Sequence, residues 1–179
     1  MVARPLLCNV ADLLHRPGAR RRVRCEDRLG PLAVAGTRVA AGDAASVGAT
    51  LEWVSDGVLA TGTVEVGWQA ECRRCLHPVA GRLRAEFREL FEAAGRRRGP
   101  ADPDRLVMTG DAVDLEPLAR EVVLLGLPLA PVCDPGCRGL CPSCGEDRNA
   151  GDCECAPEVG DPRWAVLDAL RDEAGGGEG

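Results

Sequence analysis

Eight of the ten cysteines in this 179-residue chain stand in four close pairs, and that pattern constrains the fold more than any other feature. The pairs are Cys72 with Cys75, Cys133 with Cys137, Cys141 with Cys144, and Cys153 with Cys155. A tetrahedral zinc ion takes four ligands, and two sulfurs from one short turn occupy two of its corners, because sulfurs held at ~2.3 Å from the metal lie ~3.8 Å apart. A single pair is a weak signal. Four pairs point to two closed sites, with no pair left over. Cys8 and Cys25 stand alone in the sequence and read as small buried hydrophobes.

Sequence nearness groups Cys141, Cys144, Cys153 and Cys155 as one compact knuckle. Cys72 and Cys75 then join Cys133 and Cys137 over a long stretch of chain. The rival grouping makes one local site of Cys133, Cys137, Cys141 and Cys144 and leaves the outer pairs as free thiols. His77 is an alternative ligand beside the first pair. A catalytic zinc keeps an open position, usually with histidine or carboxylate ligands. Only His15 and His77 are available here, so the sites read as structural Zn²⁺ and the chain as non-enzymatic. A redox reading of Cys72-Arg73-Arg74-Cys75 is the alternative. A thioredoxin-like motif opens a helix after a strand, however, and this one lies between two strands.

The rest of the composition narrows the class. The chain is 45% hydrophobic but has only two Phe, three Trp and no Tyr, so its core lacks bulky fillers and gains from staples. Every basic residue is arginine, which reads as codon bias. The formal charge of −6 makes a general nucleic-acid binder an unlikely class, since phosphate contacts need positive surface. The arginines nevertheless gather near the N-terminus and the acids in the last third. That asymmetry suits local RNA contact alongside a basic protein. No apolar run reaches the ~20 residues of a membrane helix, and the N-terminus does not read as a signal peptide. The expected location is the cytoplasm, where paired cysteines imply metal more often than disulfides. Neither a phosphate loop nor a nucleophile elbow is present, and no small-molecule substrate is expected.

Periodicity sets out the elements. Val10 to Leu14 reads as a short helical turn, and Arg20 to Arg24 as an edge strand. Residues 31–45 read as loop and weak strand, and Val47 to Ser55 as a strand. Asp56-Gly57 then predicts a turn that needs positive φ. From Val58 to Cys72 apolar and polar residues alternate, and the pattern resumes through Leu83, Ala85, Phe87 and Phe91. The Cys72–Cys75 pair therefore sits at the tip of a long hairpin. Residues 93–104 read as a surface loop. Asp114 caps a helix with Pro117 in its first turn, a buried stripe of Leu115, Leu118, Val122 and Leu125, and Gly126 as its stop. Asp161-Pro162 opens a last short helix carrying Trp164, Leu167 and Leu170.

The motifs Val10-Ala11-Asp12-Leu13-Leu14-His15-Arg16-Pro17-Gly18, Cys72-Arg73-Arg74-Cys75-Leu76, Asp114-Leu115-Glu116-Pro117-Leu118 and Cys137-Arg138-Gly139-Leu140-Cys141-Pro142-Ser143-Cys144-Gly145 occur in order. With Asp161-Pro162-Arg163-Trp164, they resemble the YceD family of large ribosomal RNA subunit accumulation proteins. The resemblance implies an assembly factor that promotes accumulation of large-subunit (23S) rRNA. Its partners would be a precursor large ribosomal subunit, rRNA, or a basic ribosomal protein. It carries over no catalytic residue.

Together these readings predict an α+β fold: an antiparallel sheet with a long zinc-tipped hairpin, a central helix, and a C-terminal zinc knuckle followed by a short helix. The expected division is a sheet domain over 1–132, a Cys-rich zinc-binding segment with the last helix over 133–172, and a disordered tail over 173–179. Arg20, Arg21, Arg22, Arg73 and Arg74 are the candidate RNA contacts. The competing functions are a zinc-thiol redox sensor using Cys72–Cys75 and a zinc module that binds only protein.

Overall fold

The computed structural model describes residues 5–93 and 105–155. The chain divides into two compact units, Met1–Pro135 and Gly136–Gly179. The expected helix around Trp164, Leu167 and Leu170, most of the 93–104 loop and the 173–179 tail lie outside the described residues.

The first unit is built on an antiparallel sheet whose strands run β2 (Arg20–Asp27), β5 (Ala45–Val54), β6 (Gly57–Glu71), β4 (Thr37–Val39) and β3 (Leu32–Val34), with β7 (Pro78–Glu92) on the other edge of β6. A separate two-stranded ribbon joins β1 (Leu7–Asn9) to β8 (Ala112–Asp114). The α1 helix (Leu115–Gly126) follows directly. β6 is the spine, and it pairs with β7 without interruption from Gly57↔Glu92 to Glu71↔Pro78. Alternation decides which face is buried, because successive side chains leave a strand on opposite sides. Val58, Ala60, Val64 and Val66 of β6 are buried, as are their neighbours Val47, Leu51 and Trp53 on β5 and Phe87 and Phe91 on β7. The buried side of α1 closes this core.

The segment read as loop and weak strand is a tight hairpin of β3 and β4. Ala35 and Gly36 form its turn at φ 47° and 84°, the pair of positive values that suits a twisted two-residue connection. Val10 to Leu14 forms a run of tight turns, with Leu13 N donating to Val10 O at 2.9 Å and Arg16 N to Leu13 O at 3.2 Å.

Two glycines play roles other than those expected. Gly57 does not have positive φ; the register places Ser55-Asp56 in the turn, between Val54 and Gly57. A side chain at 57 is excluded because its Cβ would lie 2.0 Å from the carbonyl oxygen of Phe91 on β7. Gly126 is the last helical residue, again without positive φ, and a Cβ added there would lie 3.0 Å from Leu83 Cδ1. The helix stops at Leu127, whose extended φ/ψ of −63° and 135° is what a residue before proline prefers.

Asp114 caps α1 as expected, its carboxylate accepting from Glu116 N at 3.1 Å. The buried stripe is rotated from the expected one. Leu115, Leu118, Ala119 and Val123 are buried, Val122 is half-buried, and Leu125 is 81% exposed. Sequence periodicity alone could not choose between two overlapping apolar stripes on a helix rich in Leu and Val. Leu118→Ala should therefore cost about 2–5 kcal/mol and Leu125→Ala less than about 0.5 kcal/mol, measured by urea denaturation. Equal costs would place the core on the other stripe.

The second unit, as far as Cys155, contains no named strand or helix among the described residues. Its order comes from turns. Gly139 and Gly145 take positive φ, Leu140 and Asp147 form an isolated bridge, and Arg148 N donates to Gly139 O at 2.9 Å. Asn149 ties the loop together, its Oδ1 accepting from Arg138 N at 2.7 Å. No described helix is long and apolar enough to cross a membrane.

Candidate metal centres

The tip of the β6–β7 hairpin is a knuckle set by backbone hydrogen bonds. Leu76 N donates to Cys72 O at 3.0 Å and Cys72 N to His77 O at 2.8 Å. The second unit repeats the arrangement: Gly145 N donates to Cys141 O at 2.9 Å and Cys141 N to Glu146 O at 2.8 Å. In each knuckle the residue after the second cysteine takes positive φ, 61° at Leu76 and 76° at Gly145. Glycine adopts that conformation freely, whereas an L-residue is penalised by about 1–2 kcal/mol. Leu76 gains little in return, since its side chain is 58% exposed. Leu76→Gly should raise stability by about 0.5–1 kcal/mol after allowing for glycine's extra unfolded-state freedom; a fall in the denaturation midpoint would contradict this.

Arg73 and Arg74 brace the first site from within its own unit. Arg73 donates from its backbone N to Pro131 O at 2.9 Å, and from its guanidinium to Ala35 O at 2.8 Å and Leu129 O at 3.1 Å. Arg74 Nη1 donates to Pro135 O at 2.9 Å. These bonds draw residues 129–135 to the hairpin tip, where the sulfurs of Cys75 and Cys133 lie 3.5 Å apart.

Two sets of four sulfurs result, Cys72, Cys75, Cys133 and Cys137 in one and Cys141, Cys144, Cys153 and Cys155 in the other, each with all ligand atoms within 4.8 Å of one another. Both could hold a metal ion. The local grouping of Cys133 and Cys137 with Cys141 and Cys144 does not occur, because the arginine braces hold Cys133 against Cys75 instead. His77 belongs to neither set. Asn149 Nδ2 lies 3.4 Å from Cys137 Sγ, a donor placed to steady a thiolate.

The electrostatics fit a cation-binding role. At Cys72 burial works to raise the thiol pKa, but hydrogen bonds from the backbone of Cys133, Cys75 and Arg74 outweigh it and bring the value from 9.0 down to about 6. Cys141 is likewise lowered to about 6, chiefly by the backbone N–H groups of Cys144 and Ser143. Its neighbour Cys155 is pushed up to about 12 by hydrogen bonding to Cys144, Cys153 and Cys141. Without a cation the second cluster thus favours one thiolate and holds other sulfurs protonated. A divalent ion removes that conflict, since metal ligands must be deprotonated together.

The remaining predicted and unpredicted residues separate clearly. Arg20 points to the solvent face of β2 and pairs with Glu52 at 3.0 Å. Arg21 lies on the opposite face and pairs with Asp12 at 2.9 Å. The Arg22 side chain is exposed and has no hydrogen-bond or ion-pair partner among the described residues. Cys8 and Cys25, lone in sequence, are neighbours in space. Burial and then the adjacent Cys25 raise Cys8 to about 11, so it stays a neutral thiol. No spacing signal links residues on separate strands in this way.

Comparison with known proteins places this geometry in a family. The match to the family described as large ribosomal RNA subunit accumulation protein YceD spans residues 60–171, which include all eight paired cysteines. An uncharacterized protein of Mycobacterium tuberculosis is 37% identical over 174 residues, covering 93% of this chain and 81% of the relative. One of Mycobacterium leprae is 31% identical over 169 residues, covering 91% and 76%. An Arabidopsis thaliana protein named large ribosomal RNA subunit accumulation protein YCED homolog 1, chloroplastic, is 31% identical over 61 residues, covering 34% of this chain and 19% of the relative. No solved structure matches the chain. A family match over more than half the chain, together with a relative spanning nearly all of it, shows that this chain belongs to the YceD family of large ribosomal RNA subunit accumulation proteins.

Proposed function

We propose that this chain is a non-enzymatic assembly factor that promotes accumulation of large-subunit (23S) rRNA in the cytoplasm, held in shape by two structural zinc ions. The observation that carries this is the convergence of two complete four-sulfur sets in a chain of this family. Four thiolates suit zinc: the 3.5 Å between Cys75 and Cys133 is already near the ~3.8 Å edge of a zinc–sulfur tetrahedron. A closed four-sulfur shell leaves no position for a substrate, which favours scaffolding over catalysis. The redox alternative is less well supported, because Cys72 and Cys75 are both buried and sensor thiols need access.

In this reading residues 133–172 act as the zinc-binding segment and 1–132 as the sheet domain. Contact with the precursor large subunit runs through arginines and through the acidic surface toward a basic ribosomal protein. Among the candidate arginines, Arg22 has the most open access to phosphates, while the exposed Arg20 shares its guanidinium with Glu52. Arg21, Arg73 and Arg74 already serve internal partners. Sedimentation of zinc-loaded protein with purified precursor subunits tests the reading. Co-migration that weakens as salt rises is expected. Failure to co-migrate even at low salt would sink it.

A further inference from the structure

The α1 helix carries more apolar surface than the core uses. Beyond the buried Leu118, the half-buried Val122 and the exposed Leu125 follow at intervals of four and three residues along one side of it. With Leu90 of β7 and Leu106 they line an open groove of about 260 Å³. Single exposed leucines are ordinary, but here a leucine 81% exposed ends a groove whose lining mixes aliphatic side chains with carboxylates.

The charges around the groove identify the chemistry of that surface. Glu89 and Glu121 line it, both exposed, and neither has an ion-pair partner among the described residues. Among its described lining residues the one cation, Arg105, is taken up by Glu92 at 3.1 Å. The carbonyl end of α1 adds partial negative charge, with no basic residue in the last turn to offset it. An apolar floor within an acidic rim suits a segment with bulky aliphatic or aromatic anchors flanked by lysine or arginine. It disfavours RNA, whose phosphates would face two carboxylates with no ion-pair partner among the described residues.

We infer that the groove between α1 and the end of β7 is a docking site for a basic amphipathic segment of a partner protein. Val122 and Leu125 receive the apolar anchors above the buried Leu118, and Glu89 and Glu121 receive the flanking cations. This deepens the assembly reading, which supplies the basic protein partner, and rests on it.

The test uses the full chain and two labelled probe peptides of identical leucine pattern, one flanked by lysines and the other by glutamates. Fluorescence anisotropy should show the lysine peptide binding on the order of tenfold or more tightly than the glutamate peptide. Leu125→Asp should abolish binding with an unchanged circular-dichroism spectrum, since that side chain lies outside the core. The pair Glu89→Lys with Glu121→Lys should reverse the preference. Equal binding of both peptides, or a Leu125→Asp chain that binds like the parent, overturns the groove. A photoreactive group at position 125 that links to RNA, to a second copy or to the chain's own residues overturns it as well. The two readings fail separately. A chain that co-sediments with precursor subunits but ignores both peptides retains the assembly role and loses the groove. A chain that binds the lysine peptide but never co-sediments loses the assembly role and retains a basic-peptide site.

Discussion

Replacing Cys72 with serine should lower the bound metal from two ions per chain to one and destabilise the hairpin tip. Native mass spectrometry of the purified chain would read the first effect directly. A serine hydroxyl is a poor zinc ligand, and the three remaining sulfurs cannot complete the shell. Because binding free energies of structural zinc are on the order of 10 kcal/mol and couple to folding, losing one ligand should cost several kcal/mol of metal-linked stability. Cys141→Ser should remove the other ion and leave the first, since the two sets share no sulfur. Cys25→Ser, outside both sets, should leave two ions bound. If Cys72→Ser and Cys141→Ser each released both ions, or neither, the grouping argued above would be wrong.

Acid should act in the same direction. The metal-free Cys72 thiol is lowered from 9.0 to about 6, so the native state holds fewer protons than the unfolded chain between those values. The stability from that preference is complete above about pH 9, declines as pH falls, and is gone below about pH 6. Protons also compete with the ion for every sulfur, so zinc release should rise steeply on acidification. Metal content that stayed level from pH 8 to about pH 5 would contradict a thiolate shell.

The second large effect is expected in the sheet. Phe91→Ala should cost about 3–5 kcal/mol in urea denaturation, among the largest single losses available to this fold. Phe91 is 1% exposed, opposite Val58 in the β6–β7 register, and the chain has only two phenylalanines and no tyrosine to fill its core. The core it belongs to is mainly Val, Ala and Leu, side chains that cannot expand into the space. Phe91 O also approaches the bare face of Gly57, so the backbone there has little freedom to collapse. A loss below about 1 kcal/mol would show that the core relaxes around the cavity.

Much of this was legible in the chain itself, for identifiable reasons. Strict alternation along residues 58–72 and 83–91 specified a hairpin, because a one-residue slip would turn the whole apolar set outward. The Asp114 cap and Pro117 located the start of α1 through local hydrogen bonding alone. Four cysteine pairs pointed to sulfur clusters able to hold a metal ion, since each knuckle is a short-range structure. The joining of Cys72 and Cys75 to the distant Cys133 and Cys137 was legible only by counting pairs, and the structure brings those sulfurs together. The grouping of Cys133 with Cys75 depends on Arg73 and Arg74 reaching the carbonyls of Leu129 and Pro135. The neighbouring of Cys8 and Cys25 depends on β1 and β2 sharing one core.

The sequence by itself determined which residues alternate, where the knuckles turn and how many sulfurs are available, because those properties depend on neighbours within a few residues. Only the tertiary structure decided between the two groupings of sulfurs that the sequence offered, which stripe of α1 is buried, and that Gly57 and Gly126 are bare for close packing and not for positive φ. Those outcomes depend on where β7 and α1 press against one another, and packing of that kind leaves no periodic trace in the chain.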